Sequence, residues 1–263
     1  MLEVKDLHKT FHLDANPDND KKALQGVSLT LKEGDFVSVI GSNGSGKSTL
    51  LNLIAGVHTQ DKGEILLNGK DISKLKVHQR ARFIGRVFQD PMVGTIADIS
   101  LFENLSIASR RGKSQSPFHY ALTKESENAF KEILAPLGLG LEDRLNAPMG
   151  LFSGGQRQSV TLLMATLARP DVLLLDEHTA ALDPGTAKIV MELTEKIVLE
   201  SKIPTLMITH NMKDAIRYGN RLIMMDEGRI VYECEGEEKK NLHTKDLIDK
   251  FASGALPDSA LLV

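Results

Sequence analysis

Only one of the 263 residues is cysteine, Cys234, so the chain can form no internal disulfide and suits a reducing compartment. No apolar stretch approaches the roughly 18 residues that a bilayer-spanning helix needs, so any service to a membrane would run through a partner chain. The N-terminus, Met1-Leu-Glu-Val-Lys-Asp6, is charged early and shows no secretory pattern. Net charge is also scarce. A formal value of -3 argues against a broad nucleic-acid surface and leaves room only for a local basic patch. No internal repeat is present. Hydrophobic residues at 41% and charged residues at 25% are typical of a soluble globular protein. The length allows one large α/β domain, or a core with a small inserted lobe.

The segment Gly41-Ser42-Asn43-Gly44-Ser45-Gly46-Lys47-Ser48 fits the pattern G-x-x-x-x-G-K-[S/T]. Before it, Phe36–Ile40 is apolar with β-branched residues and reads as a buried strand. After it, Thr49–Ala55 reads as a helix stopped by Gly56. Strand, glycine-rich loop and helix in that order bind a nucleoside triphosphate. Glycines let the backbone wrap close and aim its N–H groups at the phosphates, and the helix N-terminus favours anions. Lys47 would reach the outer phosphates, and the Ser48 hydroxyl would ligate Mg²⁺.

Strand and helix signals alternate along the rest of the chain. Strands are expected at Met1–Thr10, Arg82–Phe88, Val172–Leu175, Thr205–Thr209, Arg221–Met225 and Ile230–Cys234. Glu64–Leu67 followed by Asn68-Gly69 predicts a hairpin with a tight mirror-image turn. Helices are expected at Glu125–Leu137, Gly155–Leu167, Pro184–Glu200, Met212–Tyr218 and Leu242–Phe251, with a loop at Asp14–Lys22. The basic stretch Ser109–Pro117 reads as a surface loop. There Arg110, Arg111 and Lys113 form a solvated face, or alternatively contact lipid headgroups or an acidic partner. The last dozen residues are expected to be loosely ordered.

Two further patterns carry chemistry. Val172–Leu175 ends in Asp176 and Glu177, so a buried strand delivers two acids at its C-terminal edge, where open parallel sheets bind ligands. Asp176 is placed to hold Mg²⁺ beside Ser48, and Glu177 to orient or deprotonate an attacking water. The duller alternative is a pair of acids capping the next helix. The other pattern is Ser153-Gly154-Gly155-Gln156, which by itself would also pass for a helix N-cap.

The ordered set is phosphate loop, Gln89, Ser-Gly-Gly-Gln, aliphatic-Asp-Glu, Ala181-Leu-Asp183 and Thr209-His210. It resembles an ABC-type ATPase subunit from about Leu2 to Cys234. The guanine-reading Asn-Lys-x-Asp motif of GTPases is absent from the sequence. The resemblance implies a P-loop NTPase (RecA-like) α/β core with an antiparallel β subdomain and an inserted α-helical signature lobe at about 90–160. The ATPase domain would be 1–235 and a short helical tail 236–263. It further implies a composite site in which Ser153, Gly154, Gly155 and Gln156 of one copy face the ATP held by the loop and Thr49 of another. Gln89 would sense Mg²⁺ and water, His210 would position the water with Glu177, and Asp183 would communicate between sites. Phe11, the aromatic at the end of the first strand, is the candidate for stacking on adenine. Three departures stand out: Phe152 replaces leucine, His178 replaces a common proline, and Arg144–Gly150 lacks the acidic motif of exporters, which tilts toward import.

One loop and one signature per chain require pairing, most simply as a homodimer. The partners implied are an integral membrane permease and an extracytoplasmic substrate-binding protein, with no nucleic acid. The place implied is peripheral, on the cytoplasmic face of the cell membrane. Phe88–Met92, Asp176–Asp183 and Thr209–Asp214 are similar to those of tryptophan/tyrosine-type uptake ATPases. Met92, Val93 and Ile96 are read either as a docking groove for the permease or as lobe core. Efflux or lipoprotein extraction, and a soluble ABC-type assembly role, use the same nucleotide chemistry and remain alternatives at this point.

Overall fold

The structure, a computed structural model, describes residues 1–12, 20–112 and 123–253. They divide into two compact units. The first runs from Met1 to Arg80 and resumes at Lys202; the second spans Ala81–Ser201.

The first unit opens with strands β1 (Leu2–Phe11), β2 (Lys21–Leu31) and β3 (Phe36–Gly41), then helix α1 (Lys47–Ala55), strands β4 (Lys62–Leu67) and β5 (Lys70–Asp71), and the short helix α2 (Val77–Arg80). An antiparallel sheet forms in the order β2-β1-β4-β5, with Leu2 opposite both Leu31 and Leu67. All three leucines are buried, as the alternation of a half-covered sheet demands. Asn68 (φ 51°) and Gly69 (φ 76°) make the expected mirror-image turn between β4 and β5.

The second unit holds β6 (Ile84–Val87), α3 (Leu101–Ser109), α4 (Lys124–Leu134), α5 (Gly154–Thr166), β7 (Val172–Asp176) and α6 (Pro184–Ser201). Strands β6 and β7 are parallel, with Arg86 opposite Leu174. Helices α3, α4 and α5 pack on one apolar cluster that includes Leu101, Leu105, Phe130, Leu134, Met149, Phe152 and Val160.

The chain returns to the first unit with β8 (Thr205–Ile208), α7 (Met212–Arg217), β9 (Arg221–Asp226), β10 (Arg229–Glu235), α8 (Gly236–Lys240) and α9 (Thr244–Ser253). There β3 lies between β8 and β9, parallel to both, and β10 pairs antiparallel with β9. Because β3 is covered on both faces, all of Phe36–Ile40 is buried. Leu242, Leu247 and Phe251 of the C-terminal segment bury against Ile40, Leu222, Met224 and Cys234.

Some elements differ from expectation. Strand β2 was not anticipated beyond a loop ending at Lys22; Gly26 (φ 82°) interrupts it, so the two-residue alternation is clean only from Val27. The remaining Asp14–Asn19 part of the expected loop lies outside the described residues. Helix α3 was also missed, although Ser100 and Glu103 form a reciprocal capping box that Ser-Leu-Phe-Glu spells out. Arg111 is not part of a solvated face: its guanidinium donates to the Met164 carbonyl, and burial lowers its pKa. Lys113–Pro117 and the end of the expected C-terminal segment lie outside the described residues.

One buried cation ties this framework together. Arg80 is 1% exposed and donates to the carbonyls of Leu53 (2.6 Å), Ile54 (2.8 Å), Ser73 (2.8 Å) and Leu75 (2.9 Å). Two of these close the C-terminus of α1, where the helix dipole is negative. Arg80→Met keeps bulk but takes the buried donor from four carbonyls, of which that of Leu53 retains the Gly56 N–H at 3.2 Å. It should cost about 3 kcal/mol in urea unfolding, with an unchanged m-value.

Candidate functional site

The phosphate loop is shaped by close backbone approach. A Cβ on Gly46 would lie 2.4 Å from the Ala23 carbonyl oxygen, and one on Gly41 would lie 2.2 Å from that of Met225. Gly46 (φ 100°) is the N-cap of α1 and supplies no side-chain cap, and the first turn of α1 contains no acid. The N–H groups of that turn therefore face a space suited to an anion. Ser45 N–H donates to Ser42 (3.1 Å) and Gly228 N–H to Ser45 (3.1 Å), which fixes the loop against the β9–β10 turn. Lys47 is 7% exposed, with Nζ donating to the carbonyls of Gly41 (2.7 Å) and Ser42 (2.9 Å). The ammonium is thus held inside the loop that it would serve. Asn43, Gly44 and Ser48 are exposed, and Thr49 is half-buried.

Phe11 closes β1, half-buried, with its ring edge-on to His58 at 5.3 Å and Lys9 Nζ 5.6 Å from its centroid. The Asp61 carboxylate accepts from Lys9 Nζ (2.8 Å) and from Thr10 N–H (2.6 Å), pinning the end of this strand. His210 follows β8 and is exposed. The phosphate loop, Phe11 and His210 all belong to the first unit.

Gln89, Asp176, Glu177, Asp183 and the Ser153–Gln156 segment belong to the second. Asp176 ends β7, and its Oδ2 accepts from Arg86 at 2.9 Å. Glu177 takes a left-handed conformation, φ 46°, a strain of about 1–2 kcal/mol for a residue with a Cβ. The neighbouring His178 is anchored deeply. It is 1% exposed, and its Nε2 lies 3.0 Å from Thr194 Oγ1. The single hydroxyl proton of Thr194 goes to the Val190 carbonyl (2.8 Å), so Thr194 accepts and Nε2 carries the imidazole proton. Burial pushes His178 down to about 4, which keeps it neutral.

Ser153 caps α5 through a reciprocal box with Gln156. Gly155 is forced: a Cβ there would lie 2.0 Å from Thr186 Cγ2. Asp183 Oδ1 accepts the Thr186 N–H at 3.1 Å, and hydrogen bonding from the Thr186 side chain first, then from that N–H, lowers its pKa. Gln89 is exposed. Asn104, which sequence reasoning passed over, braces the segment beyond it. Its Oδ1 accepts Ile96 N–H (2.9 Å), and its Nδ2 donates to the carbonyls of Ile96 (3.0 Å) and Ser100 (3.0 Å). Among the described residues no group of three or more His, Cys, Asp or Glu is arranged to hold a metal ion. Asp176 is a hard oxygen donor, so the residues fit an ion that arrives with phosphate oxygens and keeps several waters, as Mg²⁺ does.

The ABC transporter family profile matches residues 24–180. The chain belongs to the ABC transporter family. It is similar to the tyrosine transport ATP-binding protein of Clostridioides difficile, 44% identical over 95% of this chain and 98% of the relative. It is also similar to the L-cystine import ATP-binding protein TcyN of Bacillus subtilis, 33% identical over 98% and 95%. Among solved structures, a dimeric ATP-binding cassette in a post-hydrolysis state, bound to ADP and Pi, superimposes with a TM-score of 0.74. That match has 29% identity and covers 89% of this chain and 98% of the other. The protein is an ABC-type ATP-binding subunit that hydrolyses ATP, with the expected α/β phosphate-loop fold.

In this ABC ATPase His178 makes stability depend on pH. Unfolded, the imidazole takes its proton near 6.5; folded, only near 4. As pH falls through that window the unfolded state gains a proton that the folded state does not, so stability is lost, by about 3 kcal/mol in total. His178→Asn should lack this component. Urea titrations at about pH 7 and pH 4.5, wild type against variant, measure it.

Proposed function

We propose that two copies of this chain clamp ATP between them and use its hydrolysis to drive amino-acid uptake through a separate permease, with an extracytoplasmic binding protein delivering the substrate. The observation that carries the reading is that each chain has one glycine-shaped phosphate loop and one capped signature helix, so a composite site needs a second copy. The transport relatives named for tyrosine and L-cystine support an amino acid as cargo, and the first of them favours the aromatic class.

In this mechanism Phe11 stacks on adenine, and the loop N–H groups from Ser42 to Thr49 surround the phosphates. Lys47 exchanges its loop carbonyls for phosphate oxygens. Ser48, Asp176 and Gln89 would hold Mg²⁺, which when bound offsets charge on the phosphates. Glu177 accepts the proton of the attacking water while His210 holds that water in place. Ser153, Gly154, Gly155 and Gln156 of the second copy contact the γ-phosphate, and Asp183 relays between the sites. Cleavage removes the bridging phosphate and lets the copies part.

Met92, Val93 and Ile96 are each more than half exposed, which favours a permease-docking role over packing inside the lobe. No helix among the described residues is long and apolar enough to cross a membrane. The subunit would then sit peripherally on the cytoplasmic face, with its permease supplying the spans.

Glu177→Gln should bind ATP with near-normal affinity, lose turnover by at least about a hundredfold, and accumulate as an ATP-dependent dimer in light scattering. Adding Ser153→Arg should abolish the dimer while leaving monomer binding intact. Normal hydrolysis by Glu177→Gln would remove the general-base assignment. The permease reading has its own check. Tagged Glu177→Gln protein with ATP, recovered from detergent-solubilised native membranes, should carry a multi-span membrane protein identified by mass spectrometry. Recovery of soluble partners alone would overturn it.

A further inference from the structure

We infer that Arg86 competes with the divalent cation for Asp176 and so sets how tightly the metal is held with the nucleotide. The inference rests on the reading of Asp176 as a metal-binding carboxylate. Arg86 and Asp176 lie on adjacent parallel strands, and Nη2 reaches Oδ2 at 2.9 Å. Both side chains are largely sheltered, at 15% and 19% exposure, so the pair is screened less than a surface pair.

Two features set this arginine apart from a purely structural partner. Its Nε is buried and has no hydrogen-bond partner among the described residues, so the pair carries a desolvation cost. Its guanidinium carbon also lies 4.7 Å from the centroid of the Phe88 ring. A cation can rest on that ring without the carboxylate.

One carboxylate therefore faces two claimants. With the guanidinium on Oδ2, the negative charge that a divalent ion needs is already neutralised, and a fixed positive charge stands beside the site. Binding of the metal would draw on the same negative charge and so weaken that pair, with the Phe88 ring still holding the guanidinium. With no metal on the carboxylate, Arg86 and Asp176 would pair as they do in this structure. Arg86 acts through Asp176 and is a positioning residue, weakening the metal–nucleotide complex and favouring its release.

The test titrates Mn²⁺ into ADP-loaded protein and reads free Mn²⁺ by electron paramagnetic resonance. Arg86→Gln should tighten Mn²⁺ on the order of tenfold, the size of effect that one nearby unit charge has on a sheltered site. Arg86→Lys keeps the charge and should stay closer to wild type. ADP affinity in chelator, with no metal, should be the same in all three. In an Asp176→Asn background Mn²⁺ should bind more weakly, and the Arg86→Gln effect should vanish. If Arg86→Gln fails to fold, Arg86→Met keeps the stem packing and carries the same expectation. Unchanged or weaker Mn²⁺ binding in Arg86→Gln, with Asp176→Asn still weakening it, overturns the role of Arg86 alone. Unchanged Mn²⁺ binding in Asp176→Asn overturns the metal reading of Asp176, and this inference with it.

Discussion

Two backbone carbonyls leave no room for a side chain in the phosphate loop, and the first unit is organised around that constraint. The Ala23 oxygen of β2 crowds Gly46, and the Met225 oxygen of β9 crowds Gly41. Only glycine lets the chain pass between these strands and turn into α1 with its first N–H groups uncapped. Lys47 folds back onto the loop carbonyls, so the charge proposed to meet phosphate is ordered beforehand. Ordering it in advance lowers the entropy lost on binding.

The second unit repeats the device with side chains. Gly155 is pressed against the Thr186 methyl group at the start of the signature helix, which leaves little room for a side chain there. Glu177 is held in a conformation that its Cβ resists, and the residue after it is buried and bonded to Thr194. We read the His178–Thr194 contact as the anchor that offsets that strain. Where a proline would restrict the backbone directly, this chain uses a buried neutral imidazole bonded to α6. The same fixed direction is obtained at the cost of acid sensitivity.

Much of the architecture was legible in the chain. The apolar run Phe36–Ile40, the Asn68-Gly69 turn and the expected strand Val172–Leu175 all fall within a residue of the observed bounds, because each depends on local rules: burial on both faces, positive φ, and strand length. Strand β2 escaped because Gly26 breaks its alternation. Helix α3 escaped although the Ser100–Glu103 capping box announces it. Arg111 was misread because a basic run looks solvated until a carbonyl, here that of Met164, is found beside it. The motifs that carry the family resemblance are legible for a different reason: they are particular residue types at fixed short spacings, and short spacings survive in one dimension.

The sequence by itself determined the family, the fold class, the residue types available for ATP chemistry and the local turns and caps that carry them. Only the tertiary structure decided which charges meet. Asp176 and Arg86 are ninety positions apart, and nothing in either neighbourhood announces their pairing. The four carbonyls that hold Arg80, and the Thr194 hydroxyl that fixes the tautomer of His178, are equally invisible along the chain. Local rules set φ, ψ and periodicity over a few residues. Partnership between distant polar groups is set by strand register and by the desolvation cost of leaving any of them unpaired once buried.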